Sequence, residues 1–142
     1  MDRGGELVMN FWLWVAKEGG MDGPVDLNSY WRWDGCHPDT EPGDYALIYR
    51  KFPHSHIKYL VEITKDAILN IDVLPEEIYY CGFKILFNFK KELIIEKMRE
   101  EEELNDWYPL KISFQKKMFP VNEEYWNYLI GILMKDNPDF KL

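Results

Sequence analysis

Apolar residues recur with a period of two along several stretches of the chain, which predicts strands. Tyr79–Lys90 is the clearest: Phe83, Ile85, Phe87 and Phe89 fall on one face, and Lys84, Leu86, Asn88 and Lys90 on the other. His56–Thr64 alternates as well, Ile57, Tyr59, Val61 and Ile63 against Lys58, Leu60 and Glu62, as a half-buried strand would. Leu7–Ala16 is apolar throughout and predicts a buried first strand, with Phe11 and Leu13 to one side and Trp12 and Trp14 to the other. Tyr45–Arg50 is a further strand-like run. Ile112 and Phe114, flanked by Lys111 and Ser113, suggest a short last strand.

Between these runs the chain is punctuated. Residues 1–6 read as a loose leader. Lys17-Glu18-Gly19-Gly20 breaks the first strand, and Asp22–Asn28 is a loop with room for one helical turn. Tyr30-Trp31-Arg32-Trp33 reads as a Trp-rich turn. Gly35, Pro38, Pro42 and Gly43 predict turn chemistry rather than a regular element from there to Asp44. Pro42-Gly43-Asp44 suits a tight turn into Tyr45, since Pro presets φ and Gly permits positive φ. Asp66–Glu77 is an irregular connection.

Two helices are predicted late in the chain. Glu92–Leu104 has strong helix formers and no Gly or Pro, with a thin apolar face of Leu93, Ile94, Met98 and Leu104. The final helix is better signalled. Asn122 can cap it, Glu123 and Glu124 suit its first turn, and Trp126, Leu129, Ile130 and Leu133 follow the i, i+3, i+4, i+7 rule. The sum is an α+β chain: a curved mixed sheet or small open barrel of about five to six strands, mostly antiparallel, flanked by helices. At 142 residues it reads as one domain, 1–142, long enough to bury a core.

Composition narrows the function. Aromatics make up 16%, with six Trp and nine Tyr, so some belong to a recognition surface as well as to the core. The net charge of -8 argues against binding nucleic acid through general phosphate attraction, which needs clustered Lys and Arg. It leaves room for a local basic patch, because much of the acid is gathered in Glu92, Glu96, Glu100–Glu103 and Asp106. Cys36 and Cys81 allow at most one disulfide. No stretch is apolar and long enough to span a membrane, and the first residues lack the pattern of a secretion signal, so a cytosolic location is the default. Neither G-x-x-x-x-G-K-[ST] nor G-x-G-x-x-G occurs, and no cofactor is implied.

The candidate chemistry lies around the Trp-rich turn. Trp14, Trp31 and Trp33, and after them Tyr49, are candidates for an aromatic cage, since a base offers two π-faces and each stacking contact is worth about 1–3 kcal/mol. The alternative is that Trp12, Trp31 and Tyr49 are plain core. Arg32, Arg50, Lys51, Lys58, His54 and His56 form the one basic, aromatic-interleaved region, able to contact phosphates, or else a solvated hairpin. Asp34 could accept a hydrogen bond from a base edge. Asp44 fits better as a turn residue bonding nearby backbone. A metal site from Cys36, His37, Cys81 and His54 or His56 has the residue types without the spacing. Cys36 with a distant His lacks any sign of an orienting group or oxyanion hole.

Several stretches, taken in order, resemble the EVE domain, a member of the PUA-like superfamily that also holds YTH and ASCH domains. Phe11-Trp12-Leu13 is similar to that family's opening strand. Trp31 or Trp33 stands where it places a Trp. Pro42-Gly43-Asp44, with Tyr45–Tyr49, is similar to its Gly-Asp, apolar run and Tyr, and His56–Thr64 to the strand that follows. Leu104–Trp107, Phe114-Gln115, Phe119-Pro120-Val121 and Trp126 carry the resemblance to the C-terminal end. The glycine-rich loop 18–30, without a clear helix, and Asp66–Glu77 depart from the pattern. The resemblance implies a bent, barrel-like sheet and a non-catalytic module that binds DNA or RNA by holding a modified base in an aromatic cage. An ASCH-like hydrolase of nucleosides is the alternative from another class, with Asp34, Glu62 or His56 as its base. A third reading is an interaction domain whose exposed aromatics bind a protein partner or a second copy.

Overall fold

The computed structural model describes residues 9–21 and 25–141. The expected leader over residues 1–6, the start of the first strand at Leu7, and part of the loop after Gly20 lie outside those residues. Six strands form one mixed sheet: β1 (Phe11–Ala16), β2 (Tyr30–Cys36), β3 (Tyr45–Arg50), β4 (His56–Leu69), β5 (Tyr79–Ile94) and β6 (Met118–Val121). Their order is β2-β5-β4-β3-β1-β6. β1 and β3 run parallel and every other pair is antiparallel. Helices α1 (Ile95–Glu100), α2 (Tyr108–Lys111) and α3 (Glu123–Asp136) complete the fold, a curled half-barrel of the PUA-like α+β kind.

Alternation along β1 sends its side chains into two separate cores. Leu13 and Val15 join the core under the helices, with Met98, Leu104, Trp126, Leu129, Ile130 and Leu133. Trp12, Trp14 and Ala16 join an inner core with Ile48, Val61, Ile63, Cys81, Phe83 and Ile85. The sheet therefore has two apolar faces, and both cover themselves: one with helices, the other by curling.

Six expectations are corrected. Tyr30–Trp33 is not a turn but the start of β2, which pairs with β5 in the register Trp31↔Phe83 and Trp33↔Cys81. A register shift between Asp34 and Cys36, with Gly35 at φ +102, absorbs the glycine that argued against a strand. Glu92–Leu104 is not one helix. Glu92–Ile94 extends β5, with Leu93 paired to Ile57, α1 takes six residues, and Glu102–Leu104 is a 3-10 turn. Ile112–Phe114 is not a strand, because Ser113 and Phe114 adopt positive φ, and the last strand is β6. β4 is not half-buried. Irregularities in its pairing with β5 put Ile57 and Leu60 in the helix-side core and Tyr59, Val61 and Ile63 in the inner one. The same irregularities split the aliphatic and aromatic run of β5, so that Phe83 and Ile85 face inward while Phe87 and Phe89 face the helices. β4 also runs on to Leu69, into the segment expected to be irregular.

The final helix forms as its signals require. The Asn122 side chain accepts a hydrogen bond from the Tyr125 amide at 2.8 Å, and Trp126, Leu129, Ile130 and Leu133 are buried. At its far end Asn137 docks on β5: its Oδ1 accepts from the Lys91 amide at 3.0 Å, and its Nδ2 donates to the Lys91 carbonyl at 3.1 Å.

Candidate functional site

The inner core ends in a stack of two tryptophans. Trp33 lies on Trp14 with ring centroids 4.8 Å apart and planes at 13°. Phe83 meets both edge-on, at 5.5 Å from Trp14 and 6.0 Å from Trp33. Trp14 is fully buried, whereas Trp33 is half-buried. The Trp14 Nε1 donor is buried with no hydrogen-bond partner among the described residues. Such an orphan costs about 1–3 kcal/mol and is rare in folded proteins.

A cavity of about 370 Å³ opens beside the stack. Trp31, Trp33 and Asp34 of β2 form one wall, and Val15 and Ala16, with the turn Lys17–Met21, form another; Phe83, Ile78 and Lys117 also border it. The volume lies within the range of small-ligand sites. The walls are held by backbone bonds. The Val15 amide donates to the Lys117 carbonyl at 2.8 Å, and the Gly20 amide to the Lys17 carbonyl at 2.8 Å.

Arg50 and His56 stand behind this wall. The Arg50 Nη1 donates to the Met21 carbonyl at 3.2 Å, and the Tyr59 hydroxyl donates to the same oxygen at 3.4 Å. The Arg50 Nε donates to His56 Nε2 at 3.0 Å. Burial, with the Arg50 charge beside it, lowers the His56 pKa to about 4, so the ring is neutral at pH 7 and free to accept. Both side chains are almost fully buried.

The rim is polar. Arg32 pairs with Asp34 (Nη2 to Oδ1 2.8 Å), and its guanidinium lies 4.1 Å from the Tyr80 ring centroid. Lys17 and Lys117 are exposed at the cavity's edge. Trp31 is 41% exposed, a large apolar surface left beside an opening.

Other candidates lie elsewhere. Tyr49 is buried in the helix-side core, stacked on Phe114 at 4.0 Å. Lys58 donates through Nζ to the Phe89 carbonyl and to Glu92 Oε2, each at 3.0 Å. Asp44 is buried and accepts from the amides of Asn10 and Glu41 and from Trp12 Nε1. It is the turn residue expected, and it also ties β1 to the turn before β3. Cys36 and Cys81 are free, buried thiols of the inner core. The hydrogen bond between them holds the Cys36 thiol pKa down and pushes that of Cys81 up. His37 stacks on Trp12 at 5.0 Å. Among the described residues no group of three His, Cys, Asp or Glu side chains could hold a metal ion.

Trp14, Trp31, Trp33, Arg32 and Asp34 are thus brought together, with Arg50 and His56 one layer behind. Sequence reasoning missed Lys117, Lys17 and Tyr80. The signal for Lys117 was present: a strand at Phe119-Pro120-Val121, paired beside β1, sets the preceding lysine against the end of β1.

No protein-family model matches the chain, and no curated protein does. Solved structures do. Rpa0253 from Rhodopseudomonas palustris superposes with a TM-score of 0.73 at 18% identity, covering 94% of this chain and 97% of that one. The human THYN1 protein in complex with 5-methylcytosine containing DNA gives 0.64 at 14%, covering 87% and 97%. The DUF55 domain of human thymocyte nuclear protein 1 gives 0.65 at 12%, covering 87% and 98%. At these identities the likeness is one of fold. DUF55 is the EVE domain, so the fold expected from the motifs is the fold present.

Proposed function

We propose that this chain is a non-catalytic nucleic-acid-binding module that takes a modified base of DNA or RNA, turned out of its stack, into the cavity beside Trp31 and Trp33. The observation that carries this reading is the wall itself: a half-buried Trp33 braced from behind by Trp14, next to a partly exposed Trp31, at an opening of base-sized volume. An extruded base forfeits its stacking, and aromatic faces of this kind return it. Asp34 on the rim can accept from an exocyclic amine, and Arg32, Lys17 and Lys117 can meet the flanking phosphates. Arg50 and His56 serve by holding the Met21 turn in place. The 5-methylcytosine DNA bound by human THYN1, a protein of the same fold, supports a nucleic-acid partner and suggests the first modification to try.

The hydrolase reading draws less support. Of its candidate bases only Asp34 borders the cavity, and it is held by Arg32. The test is a titration of short single- and double-stranded oligonucleotides carrying methylated and hydroxymethylated bases, followed by Trp fluorescence. Quenching by one modified oligonucleotide, lost in Trp31→Ala or Trp33→Ala, is the expected result. A flat response across the panel overturns the reading, and a nucleoside hydrolysis screen with Asp34→Asn then follows.

A further inference from the structure

β2 is a wall shared by two clefts. In its pairing with β5, Trp31 and Trp33 lie opposite Phe83 and Cys81 of the inner core, so Tyr30, Arg32, Tyr80 and Gly82 point to the other face of the sheet. There a second cleft, about 600 Å³, is bordered by those four residues and by Lys65 and Ile68 of β4. Trp31 and Arg32 border both clefts.

The outer cleft is built for stacking. Its floor already holds a stacked pair, Arg32 over Tyr80 at 4.1 Å. Tyr30 is 74% exposed and Ile68 51%, apolar surface that a soluble chain gains little by leaving in water. Gly82 keeps the floor clear between Arg32 and Lys65. A Cβ there would stand 3.1 Å from the Lys65 Cβ and from the Thr64 hydroxyl. Arg32 and Lys65 place two cations at the cleft's edge, balanced by Asp34, which pairs with Arg32, and by the bordering Asp66. An aromatic platform with cations along its edge is the chemistry that takes up a single-stranded base and its phosphate.

We infer that this outer cleft is a second nucleotide subsite, which stacks the base adjacent to the one in the inner cavity. The inference rests on the reading that the inner cavity takes a base. The phosphate joining the two nucleotides crosses β2 at Trp31 and Arg32. β2 is the terminal strand of the sheet, so its outward N–H groups meet no neighbouring strand among the described residues and can donate to that phosphate. The protein would then read a two-nucleotide step of single strand rather than an isolated base. The adjacent base would be held by stacking, which tolerates any sequence.

The test compares two probes of the base selected by the oligonucleotide panel, with 5-methylcytosine as the starting choice: its 5′-monophosphate, and a single-stranded trinucleotide with that base in the centre. Wild type should bind the trinucleotide about tenfold more tightly, the return expected for one stacked base. Tyr30→Ala should erase most of that advantage and Ile68→Ser part of it, and both should leave the monophosphate affinity unchanged, since neither residue borders the inner cavity. If the monophosphate binds and both variants keep the full trinucleotide advantage, the subsite is overturned while the inner-cavity reading stands. If wild type binds neither probe, the inner-cavity reading fails and takes the subsite with it. If wild type dimerises in light scattering and Tyr30→Ala makes it monomeric without altering trinucleotide affinity, the cleft is a contact between copies and the subsite is overturned.

Discussion

The Trp33 indole lies flat on that of Trp14, 4.8 Å away, although β5, β4 and β3 stand between their strands in the sheet. One contact therefore closes the curl of the sheet and finishes the wall of the inner cavity. The two roles can be separated by substitution. Trp33→Ala removes a half-buried ring from the curl and should cost about 2–3 kcal/mol of stability, below the 3–5 kcal/mol of a fully buried Trp. Trp31→Ala removes an exposed ring and should cost less than about 1 kcal/mol. Both should weaken binding of the modified oligonucleotide about tenfold. Urea melts paired with fluorescence titrations check this, and a Trp31→Ala protein of undiminished affinity would remove Trp31 from the site.

Salt dependence identifies the phosphate contacts. Lys117 stands exposed at the cavity's edge, whereas Lys58 is engaged by Glu92 and the Phe89 carbonyl. Each phosphate neutralised on a single strand adds about 0.7 to the slope of log K against log salt concentration. Lys117→Met should lower the slope by about that amount, and Lys58→Met should leave it unchanged. The reverse pattern would mean that the strand runs along β4 and β5 instead.

What the sequence made legible, and what it hid, follows from which contacts are local. β1, β3 and the final helix carry their signals within a few residues: alternation, an apolar run, a capping Asn122 before Trp126, Leu129, Ile130 and Leu133. β2 does not. It exists because β5 lies beside it and Trp14 lies under Trp33, contacts formed by distant segments, while Gly35 nearby argues for a turn. The two faces of β5 were hidden because the pairing irregularity near Leu86 turns an in-phase run, Phe83, Ile85, Phe87 and Phe89, onto opposite sides. Helix propensity misled over Glu92–Leu104, where burying Leu93 against Ile57 outweighs a few tenths of a kcal/mol per residue. The aromatic half of the candidate site was thus readable as residue types. Its lysines, and the layer of Arg50 and His56 behind it, depended on the fold.

Asp44 offers a test of the scaffold apart from the site. Its carboxylate accepts from Trp12 Nε1 at 3.0 Å and from the amides of Glu41 at 2.9 Å and Asn10 at 3.1 Å. Asp44→Asn is nearly isosteric, but it turns one acceptor into an NH₂ that faces N–H donors. Hydrogen bonds to a charged group contribute about 1.5–3 kcal/mol, so a loss of about 2–4 kcal/mol is expected. Trp12→Phe, which withdraws a single donor, should cost less. Thermal melts of both variants decide the point, and an Asp44→Asn protein as stable as wild type would show that the carboxylate's charge is not needed there.

The neutral His56 makes stability depend on pH in a definite direction. Its folded pKa of about 4 lies below the unfolded value of about 6.5, because burial and the Arg50 guanidinium oppose the cation, with His54 and Lys58 adding to them and Glu92 opposing them. Well above pH 6.5 the ring is neutral in both states and contributes no pH dependence. As pH falls from 6.5 towards 4, the unfolded chain takes up a proton that the folded chain refuses, so stability is lost across that window, by about 3 kcal/mol in all. Below pH 4 the loss from this residue is complete. His56→Gln keeps an acceptor for the Arg50 Nε and cannot titrate. Urea melts at pH 7.5 and 4.5 should therefore show a larger drop for wild type than for His56→Gln. Equal drops would mean that the folded ring takes up its proton as readily as the unfolded one, so that burial and Arg50 do not oppose its charge.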